Sequence, residues 1–313
     1  MGRLESQGTP LPFDKSQYAE ALSYFGQPTV VGARPLVLRS IPGVAEVDAF
    51  GPFPYGSPPT DPEGFRRALA EVGAVTWTGV IRPGADATLL ATFDPLTTKE
   101  HFVHLRTGPA LQPSPRTRRH IRRGAEIWSV ELRSMAEAID TATRLHRLLE
   151  CRAPLSRVAR VDRRHFEIVA TIDGFRCVVA TAQGREVGAF LVFAEAGDEI
   201  HFHLTAGDER ALRDDGMYAI FDFMIRTYGA THDLYLGGTP AGANGEGVGR
   251  FKARFANGRR STYLARAVLD ARRCEQLVAL FGEHRWFPPY RDPNEDQGIA
   301  LGAAAKSESD REQ

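Results

Sequence analysis

The stretch at 233–255, DLYLGGTPAGANGEGVGRFKARF, places a short strand, a glycine-rich loop and a helix in direct succession. The strand is predicted over 233–236, and the helix is predicted to contain Phe251 and Lys252. The loop glycines are Gly237, Gly238, Gly242, Gly245, Gly247 and Gly249. Because glycine lets the backbone approach a ligand and a helix start offers unpaired N–H groups, this order favours a cradle for a phosphate or an oxyanion. On the glycines alone, a long flexible loop is the preferred interpretation.

Lys252 adds to the case for a site in this stretch. The chain has 39 basic residues, and the lysines among them are Lys15, Lys99, Lys252 and Lys306. A lysine in so arginine-rich a chain indicates a need for a compact ammonium, which the planar guanidinium of arginine does not reproduce. Chance is the alternative explanation for a single residue of this kind.

The bulk composition excludes several classes of protein. A length of 313 residues predicts about two domains, and 42% apolar with 25% charged residues is ordinary for a globular protein. The net charge of zero gives no global attraction to nucleic acid, so any such contact needs a local patch. No segment is apolar for long enough to span a bilayer, and the polar N-terminus predicts no signal peptide.

The cysteines indicate a reducing compartment. Cys151, Cys177 and Cys274 are odd in number and widely spaced. They fit neither a disulfide framework nor a metal site. A cytoplasmic location is therefore predicted.

Apolar periodicity and turn residues divide the rest of the chain into strands and helices. Strands are predicted as two short runs within 29–41, at 74–82, 89–93, 103–105 and 128–132, and then at 175–181, 187–193, 199–205 and 262–269. Helices are predicted at 17–25, 62–71, 135–149, 166–172, 214–228 and 273–281, with another beginning at Ser114 and Pro115. The acidic, small-residue-rich segment beyond 291 is predicted to be disordered.

Two irregular or charged segments are candidate ligand surfaces. The segment at 48–59, DAFGPFPYGSPP, is too rich in proline and glycine for a regular element, and its aromatics, among them Tyr55, suit a binding wall. A packed surface loop is its alternative. The basic run at 116–123, which includes Arg119, suits a polyanion such as tRNA or a nucleotide diphosphate. For this run alone, a solvated helix face is the preferred interpretation.

The strand at 199–205 carries two histidines. Alternation places Ile200, Phe202 and Leu204 on one face and His201, His203 and Thr205 on the other. Two histidines on one face suit a metal pair or a general base. No third metal ligand lies near them in sequence, so no metal site is predicted, and a base lining a cleft is the preferred interpretation.

The runs quoted above resemble a known family. LGG at 236–238, the glycine-bearing loop and FKARF at 251–255 resemble the second domain of the Fem (FemABX) aminoacyltransferases, and related GNAT-type N-acyltransferases share the pattern. The resemblance covers the chain from about Tyr18 to Phe281. RRHIRRG at 118–124 resembles the basic helix start in the first half of these proteins.

The resemblance implies an α/β (α+β) fold of two tandem GNAT-like domains, each a mixed twisted sheet flanked by helices. Residues 1–155 are then a diverged domain on the acceptor side, and 156–290 are the acyl-donor domain. Residues 291–313 remain the disordered tail.

The sequence departs from the family pattern at two points. It has no room for the coiled-coil arm of some Fem proteins. After Thr205 it also lacks the Q/R-x-x-G-x-G/A run with which GNAT enzymes hold the CoA pyrophosphate. That place reads TAGDERALRDDG and carries acidic residues, which argues against a conventional acetyl-CoA enzyme.

The resemblance also implies acyl transfer to an amine without a covalent enzyme intermediate. Lys252 would stabilise the oxyanion or a donor phosphate, and Phe251 would wall the acyl group. Backbone groups near Gly237 and Gly238 would assist. Further candidates for substrate contact are Arg250, Arg254, Tyr55 and Arg119. The proton acceptor is left open among His201, His203 and Asp233.

The preferred donor is aminoacyl-tRNA, because a CoA motif is missing and basic patches lie at 116–123 and 250–260. The preferred acceptor is the amine of a small peptide-like molecule or metabolite of specialised metabolism. The donor is a co-substrate, so no resident cofactor is expected. The alternatives are an acyl-CoA-dependent N-acyltransferase and a non-catalytic GNAT-like protein that binds peptide or RNA. The sequence makes no prediction of the oligomeric state.

Overall fold

A computed structural model describes residues 9–51, 53–85, 93–94, 96–153, 155–239, 245–284 and 287–291. The strands of the first half are β1 (Gln27–Val31), β2 (Arg34–Ser40), β3 (Val47–Phe50), β4 (Ala74–Ile81), β5 (Leu96–His104) and β6 (Trp128–Ser134). Those of the second half are β7 (Phe175–Ala182), β8 (Val187–Ala196), β9 (Glu199–Gly207), β10 (Asp233–Gly238) and β11 (Gly258–Val268). Within the described ranges they form one sheet in the order β1-β2-β3-β4-β11-β5-β10-β9-β8-β7-β6.

Helices cover both faces of this sheet. They are α1 (Ser16–Glu20), α2 (Pro62–Glu71), α3 (Pro115–Ile127), α4 (Met135–Arg152), α5 (Arg163–Val169), α6 (Glu209–Arg213), α7 (Gly216–Tyr228), α8 (Gly245–Lys252) and α9 (Ala271–Phe281). Side-chain caps fix several of their starts, as at α2, where the Asp61 carboxylate accepts from Gly64 N at 2.9 Å. The predicted fold class, a mixed sheet flanked by helices, is confirmed.

Some predicted elements differ from those observed or cannot be compared. The predicted helix at 17–25 is shorter and begins at Ser16, and the helix predicted at 166–172 begins three residues earlier, where Asp162 caps His165 N at 3.0 Å. The predicted strand at 89–93 lies outside the described residues except for Phe93. Gly242 and the predicted tail beyond 291 also lie outside them.

Strand β8 of the second half separates two hydrophobic cores. Phe190 and Val192 point into one core, together with the apolar side of α4. Leu191 and Phe193 point into the other, together with α7. All four side chains have no exposed surface, so β8 is buried on both sides, and its sequence is accordingly a continuous apolar run.

The same strand pattern occurs twice. In the first half β1, β2 and β3 pair antiparallel, and β4 joins β3 in parallel after α2. In the second half β7, β8 and β9 pair antiparallel, and β10 joins β9 in parallel after α7. The strand that follows this pattern in each half pairs with a strand of the other half. β5 of the first half pairs with β10 of the second, and β11 of the second half pairs with β4 of the first. One sheet therefore contains strands from both sides of the predicted domain boundary between residues 155 and 156. The division into two domains at that boundary stays a prediction.

A buried ion pair holds the end of the described chain against the first half. The Asp48 carboxylate on β3 accepts from Arg291 Nε at 2.5 Å, Tyr290 Oη at 2.5 Å and Thr76 Oγ1 at 2.7 Å. Arg291 also donates to the carbonyl of Ser40 at 2.9 Å. Every partner of the carboxylate is buried, so removing the charge leaves a guanidinium without compensation.

Replacing Asp48 by asparagine is therefore expected to lower the free energy of unfolding by about 3 kcal/mol or more, because a buried guanidinium loses its counter-charge. Urea unfolding followed by tryptophan fluorescence measures the loss. Asp140→Asn is the matched control, since Asp140 pairs with Arg163 on the exposed surface. Equal unfolding midpoints for the two variants would show that the buried pair contributes no more than the exposed one.

Candidate active site

The parallel strands β9 and β10 separate part-way along their length. They pair at Asp233 with Glu199, Leu234 with Ile200 and Tyr235 with His201. Both strands continue, yet 202–207 and 236–238 have no pairing with one another in the described structure. The inter-strand gap, defined by these two segments, leaves backbone edges facing each other without a strand partner. Such edges offer hydrogen-bonding groups to an extended ligand.

The equivalent parallel pair in the first half does not open. Beyond Phe50, the last residue of β3, the chain stays bonded to β4: Gly51 N donates to Thr78 O at 2.9 Å, and Gly56 N donates to Val80 O at 2.9 Å. The Trp77 indole also donates to Gly51 O at 3.2 Å. The two halves repeat one strand pattern, but this difference leaves a gap in the second half alone among the described residues.

Lys252 reaches the end of the gap. Its Nζ donates to the carbonyl of Gly238 at 2.9 Å. Gly237 lies at a β-bulge with φ of +82°, and a Cβ there would come within 3.1 Å of Lys252 Nζ. A side chain at Gly237 would therefore crowd the ammonium, which explains in physical terms why glycine stands beside this lysine. The structure brings Gly237, Gly238 and Lys252 together.

Phe251 packs beneath the gap on the α7 side of the sheet. Its ring centroid lies 4.8 Å from that of Phe221 and 5.0 Å from that of Tyr218. Phe221 in turn contacts Phe202 on β9, at 5.2 Å. Phe251 is half-buried in this aromatic cluster. Its predicted role as a wall of an acyl site stays a prediction.

Two basic segments meet at Tyr218 on α7. His120 of α3 stacks on the Tyr218 ring with centroids 4.7 Å apart, and Arg254 bonds to its hydroxyl. Arg119 and Arg122 on α3 are exposed and have no ion-pair or hydrogen-bond partner among the described residues. The exposed arginines of α3, Arg119 and Arg122, together with Arg254 are called the α3–Arg254 surface, and its two segments are joined through the contacts of His120 and Arg254 with Tyr218. The predicted site residue Arg250 instead pairs with Glu246 on the exposed side of α8.

The helix start that follows β9 is occupied by the chain's own carboxylate. Asp208 caps α6 by accepting from Ala211 N at 2.7 Å, and Glu209 follows it. The next helix, α7, begins beside Asp214 and Asp215, which pair with Arg123. These helix starts already carry negative charge, so they do not favour the binding of a phosphate.

The two histidines of β9 have different surroundings. His201 is fully buried, with Nδ1 at 2.6 Å from the Tyr55 hydroxyl and Nε2 at 3.1 Å from Glu199 Oε2. His203 Nε2 lies 3.1 Å from the Tyr18 hydroxyl, and its buried Nδ1 has no partner in the described structure. Tyr55 thus bonds to His201, whereas the candidate base His203 contacts Phe13, Tyr18 and His165.

The predicted alternation of β9 is wrong beyond His203. Val192 of β8 pairs with Leu204, but Phe193 pairs with Phe202, so His203 is an extra residue in a β-bulge. Leu204 consequently packs against the core on the α4 side, whereas Ile200 and Phe202 lie in the other core.

Sequence reasoning missed the partners of His201. Glu199 precedes it by two residues on the same strand, and this i, i+2 spacing was the available signal. Arg82, which pairs with Glu199, and Tyr235, which stacks on His201 at 4.6 Å, come from distant parts of the chain and gave no signal. No cluster of three metal-binding side chains occurs among the described residues. None of the helices that the structure describes is long and apolar enough to cross a membrane.

Comparison with solved structures identifies the fold. FemX superposes with a TM-score of 0.59 at 12% identity, over 87% of this chain and 94% of that one. L-PGS from Bacillus licheniformis gives 0.57 at 12% identity, over 83% and 93% of the two chains. The C-terminal domain of a protein named as a lysylphosphatidylglycerol synthetase, from Agrobacterium fabrum, gives 0.54 at 16% identity, over 84% and 92%.

This chain has the fold of FemX and L-PGS. The predicted resemblance to Fem-type proteins is confirmed at the level of the fold. No protein-family model matches the sequence, and no curated protein is significantly similar to it.

The histidines near the gap predict an acid-sensitive fold. Burial lowers the pKa of His165 from 6.5 to about 4, although its bond to Ala21 O opposes the shift. Between these pH values the unfolded chain binds a proton that the folded chain does not, so the free energy of unfolding falls as the pH falls, by about 3 kcal/mol in all. Burial likewise lowers the pKa of His203 and of His146.

Urea unfolding at pH 7.5, 6.0 and 5.0 measures this dependence. His165→Gln is expected to flatten it, whereas His284→Gln, a change to a half-buried histidine near the end of the described chain, is expected to leave the slope unchanged. Equal stability of the unmodified protein at pH 7.5 and 5.0 would contradict the assignment.

Proposed function

We propose that this protein is an N-acyltransferase that joins an acyl group to an amine. The observation that carries the proposal is the inter-strand gap, which opens in one of two otherwise similar halves and ends at Lys252. An extended donor bound along the gap would pair with the unpartnered strand edges, and its carbonyl would lie near a fixed cation. Direct attack by an amine needs such alignment and charge stabilisation, and it needs no nucleophilic residue.

Lys252 is proposed to stabilise the oxyanion that forms during the attack, or a phosphate of the donor. Its ammonium lies 2.9 Å from Gly238 O, so it is already positioned at the end of the gap before substrate binds. Preorganised charge of this kind contributes several kcal/mol to transition-state stabilisation. Phe251 is proposed to wall the acyl group, and the backbone of Gly237 and Gly238 to assist.

Aminoacyl-tRNA is the proposed donor. Arg119 and Arg122 of the α3–Arg254 surface have no partner among the described residues and can bind a phosphodiester backbone. Asp208 occupies the helix start where a CoA pyrophosphate would otherwise bind, which weakens the acyl-CoA alternative. FemX and L-PGS share the fold, and the name lysylphosphatidylglycerol synthetase itself describes the joining of an amino acid to an acceptor.

The proposed acceptor is the amine of a small peptide-like molecule or metabolite, and the reaction forms an amide in the cytoplasm. No resident cofactor enters the proposal, since the donor is consumed as a co-substrate.

The test is transfer from total tRNA charged with labelled amino acids to a panel of dipeptide amides, with detection of the amide product. Lys252→Ala is expected to lower the rate about 100-fold or more, because the fixed cation is lost. Lys15→Ala is the matched control: Lys15 also donates to a backbone carbonyl, that of Asp173 at 3.1 Å, but this bond is exposed to solvent.

Two other results would replace the proposal. Micromolar affinity for CoA without affinity for tRNA would establish the acyl-CoA alternative. Binding of tRNA or peptide that Lys252→Ala leaves intact, with no transfer to any acceptor, would establish a non-catalytic binding protein.

The α3–Arg254 surface predicts a salt-dependent affinity for tRNA. Replacing Arg119 and Arg122 together by glutamine is expected to weaken binding and to reduce the slope of log K against log salt by roughly 1 to 2, because fewer counterions are released. Filter binding at roughly 50 to 200 mM salt, a range that brackets physiological ionic strength, measures the slope. Arg164→Gln is the control, since Arg164 on α5 is also exposed and without a partner in the described structure. A slope unchanged by the double replacement would place the tRNA elsewhere.

A further inference from the structure

A tyrosine, a histidine and a glutamate form a continuous hydrogen-bonded chain beside the gap. Tyr55 Oη lies 2.6 Å from His201 Nδ1, and His201 Nε2 lies 3.1 Å from Glu199 Oε2. Tyr55 is 2% exposed and His201 is fully buried, whereas the Glu199 side chain keeps 21% of its surface in solvent. The chain therefore runs from a buried hydroxyl to a carboxylate at the surface.

The charges around the chain fix the direction of its hydrogen bonds. Burial alone would raise the pKa of Glu199, but the bond to His201 and the charge of Arg82 outweigh it and hold the pKa below its usual range. The ionised carboxylate can only accept, so His201 Nε2 carries the hydrogen. Nδ1 of the neutral ring is then an acceptor, and the Tyr55 hydroxyl donates to it.

The hydrogen-bonded chain of Tyr55, His201 and Glu199 lies at the closed end of the gap. His201 pairs with Tyr235 in the last rung before β9 and β10 separate. Tyr55 comes from the first half, on the segment whose Gly51 and Gly56 bond to β4. The Tyr55 hydroxyl is consequently held at the closed end of the gap through its bond to His201.

We propose that Tyr55, His201 and Glu199 form the route by which the acceptor amine loses its proton during acyl transfer. This inference rests on the proposed function and deepens it by choosing among the proton acceptors that the sequence left open. Tyr55 would take the proton when an acceptor enters the closed end of the gap and uncovers its hydroxyl, and His201 and Glu199 act through it.

The amine nitrogen forms a bond to the ester carbon, and an N–H bond of the amine breaks as its proton passes to Tyr55 Oη. The original Tyr55 proton moves to His201 Nδ1, so no tyrosinate is formed, and the imidazolium is stabilised by Glu199. The ester C–O bond then breaks, and the leaving ribose oxygen takes the proton back along the same route.

The protein contains a second tyrosine–histidine pair, which serves as an internal control. Tyr18 Oη lies 3.1 Å from His203 Nε2, much as Tyr55 lies against His201. The other nitrogen of His203 has no carboxylate and no other partner among the described residues. An imidazolium at His203 would therefore lack the counter-charge that His201 has.

The titratable and charged groups that face the His201 site are Tyr55 from the 51–56 segment, Arg82 after β4, His101 on β5, Glu199 on β9 and Tyr235 on β10.

The first arm of the test is the pH dependence of kcat/KM, with total charged tRNA as donor and the dipeptide amides as acceptors. Tyr55→Phe is expected to lower kcat/KM about 100-fold and to move the acid limb to higher pH, because neutral His201 loses a hydrogen bond. Glu199→Gln is expected to move that limb to lower pH, because the imidazolium loses its counter-charge. Tyr18→Phe is expected to change neither. Opposite shifts of one limb are not produced by a general loss of folding.

The second arm does not depend on activity. Nitrogen-15 NMR of the histidine rings is expected to show neutral His201 with its hydrogen on Nε2, and to show a changed Nδ1 signal in Tyr55→Phe. A hydrogen on Nδ1 of His201 would overturn the proposed route. So would an active protein whose pH profile is unaltered by Tyr55→Phe and Glu199→Gln. Absence of transfer by the unmodified protein would instead overturn the proposed function, and the route with it.

Discussion

The central pairing of β5 with β11 holds the two halves in one sheet. These antiparallel strands come from different halves, and each also pairs with the other half's parallel strand, β5 with β10 and β11 with β4. Ladder hydrogen bonds fix the register on both sides, so neither half can slide or rotate against the other without breaking them. A site built from both halves can therefore be held to within the tolerance of a hydrogen bond.

Tyr55 shows what this rigidity allows. The segment 51–56 closes the parallel pair of the first half by bonding to β4. The same segment carries Tyr55 to His201 of the second half, at a distance of 2.6 Å. One loop thus removes a gap from the first half and adds a polar group to the gap of the second. Two copies of one strand pattern need not carry two copies of a site.

The sequence predicts well what depends on local chemistry. The helix at 62–71 and the helix beginning after Ser114 were predicted with the observed starts, because caps and proline act over a few residues. Lys252 and the glycines beside it were likewise identified from one continuous stretch. The bulge at His203 was not, since it depends on the register of β8, and alternation therefore misplaced Leu204. β5 and β11 each pair with a strand of the other half, and Tyr55 bonds to His201, so all these contacts join residues far apart in sequence. No local sequence pattern predicts them.

Charge at the helix starts separates the candidate donors more sharply than shape does. A helix start ordinarily attracts phosphate, yet α6 is capped by Asp208, and α7 begins beside Asp214 and Asp215. A diphosphate placed there would meet like charge and would have to displace an internal hydrogen bond. Arg119 and Arg122, which have no partner among the described residues, lie instead on α3. Arg123 of α3 already pairs with both of these carboxylates, so the positive charge that α3 has to spare lies at Arg119 and Arg122. Arginines spaced along a helix suit a long phosphodiester better than a compact nucleotide, which supports the proposed donor.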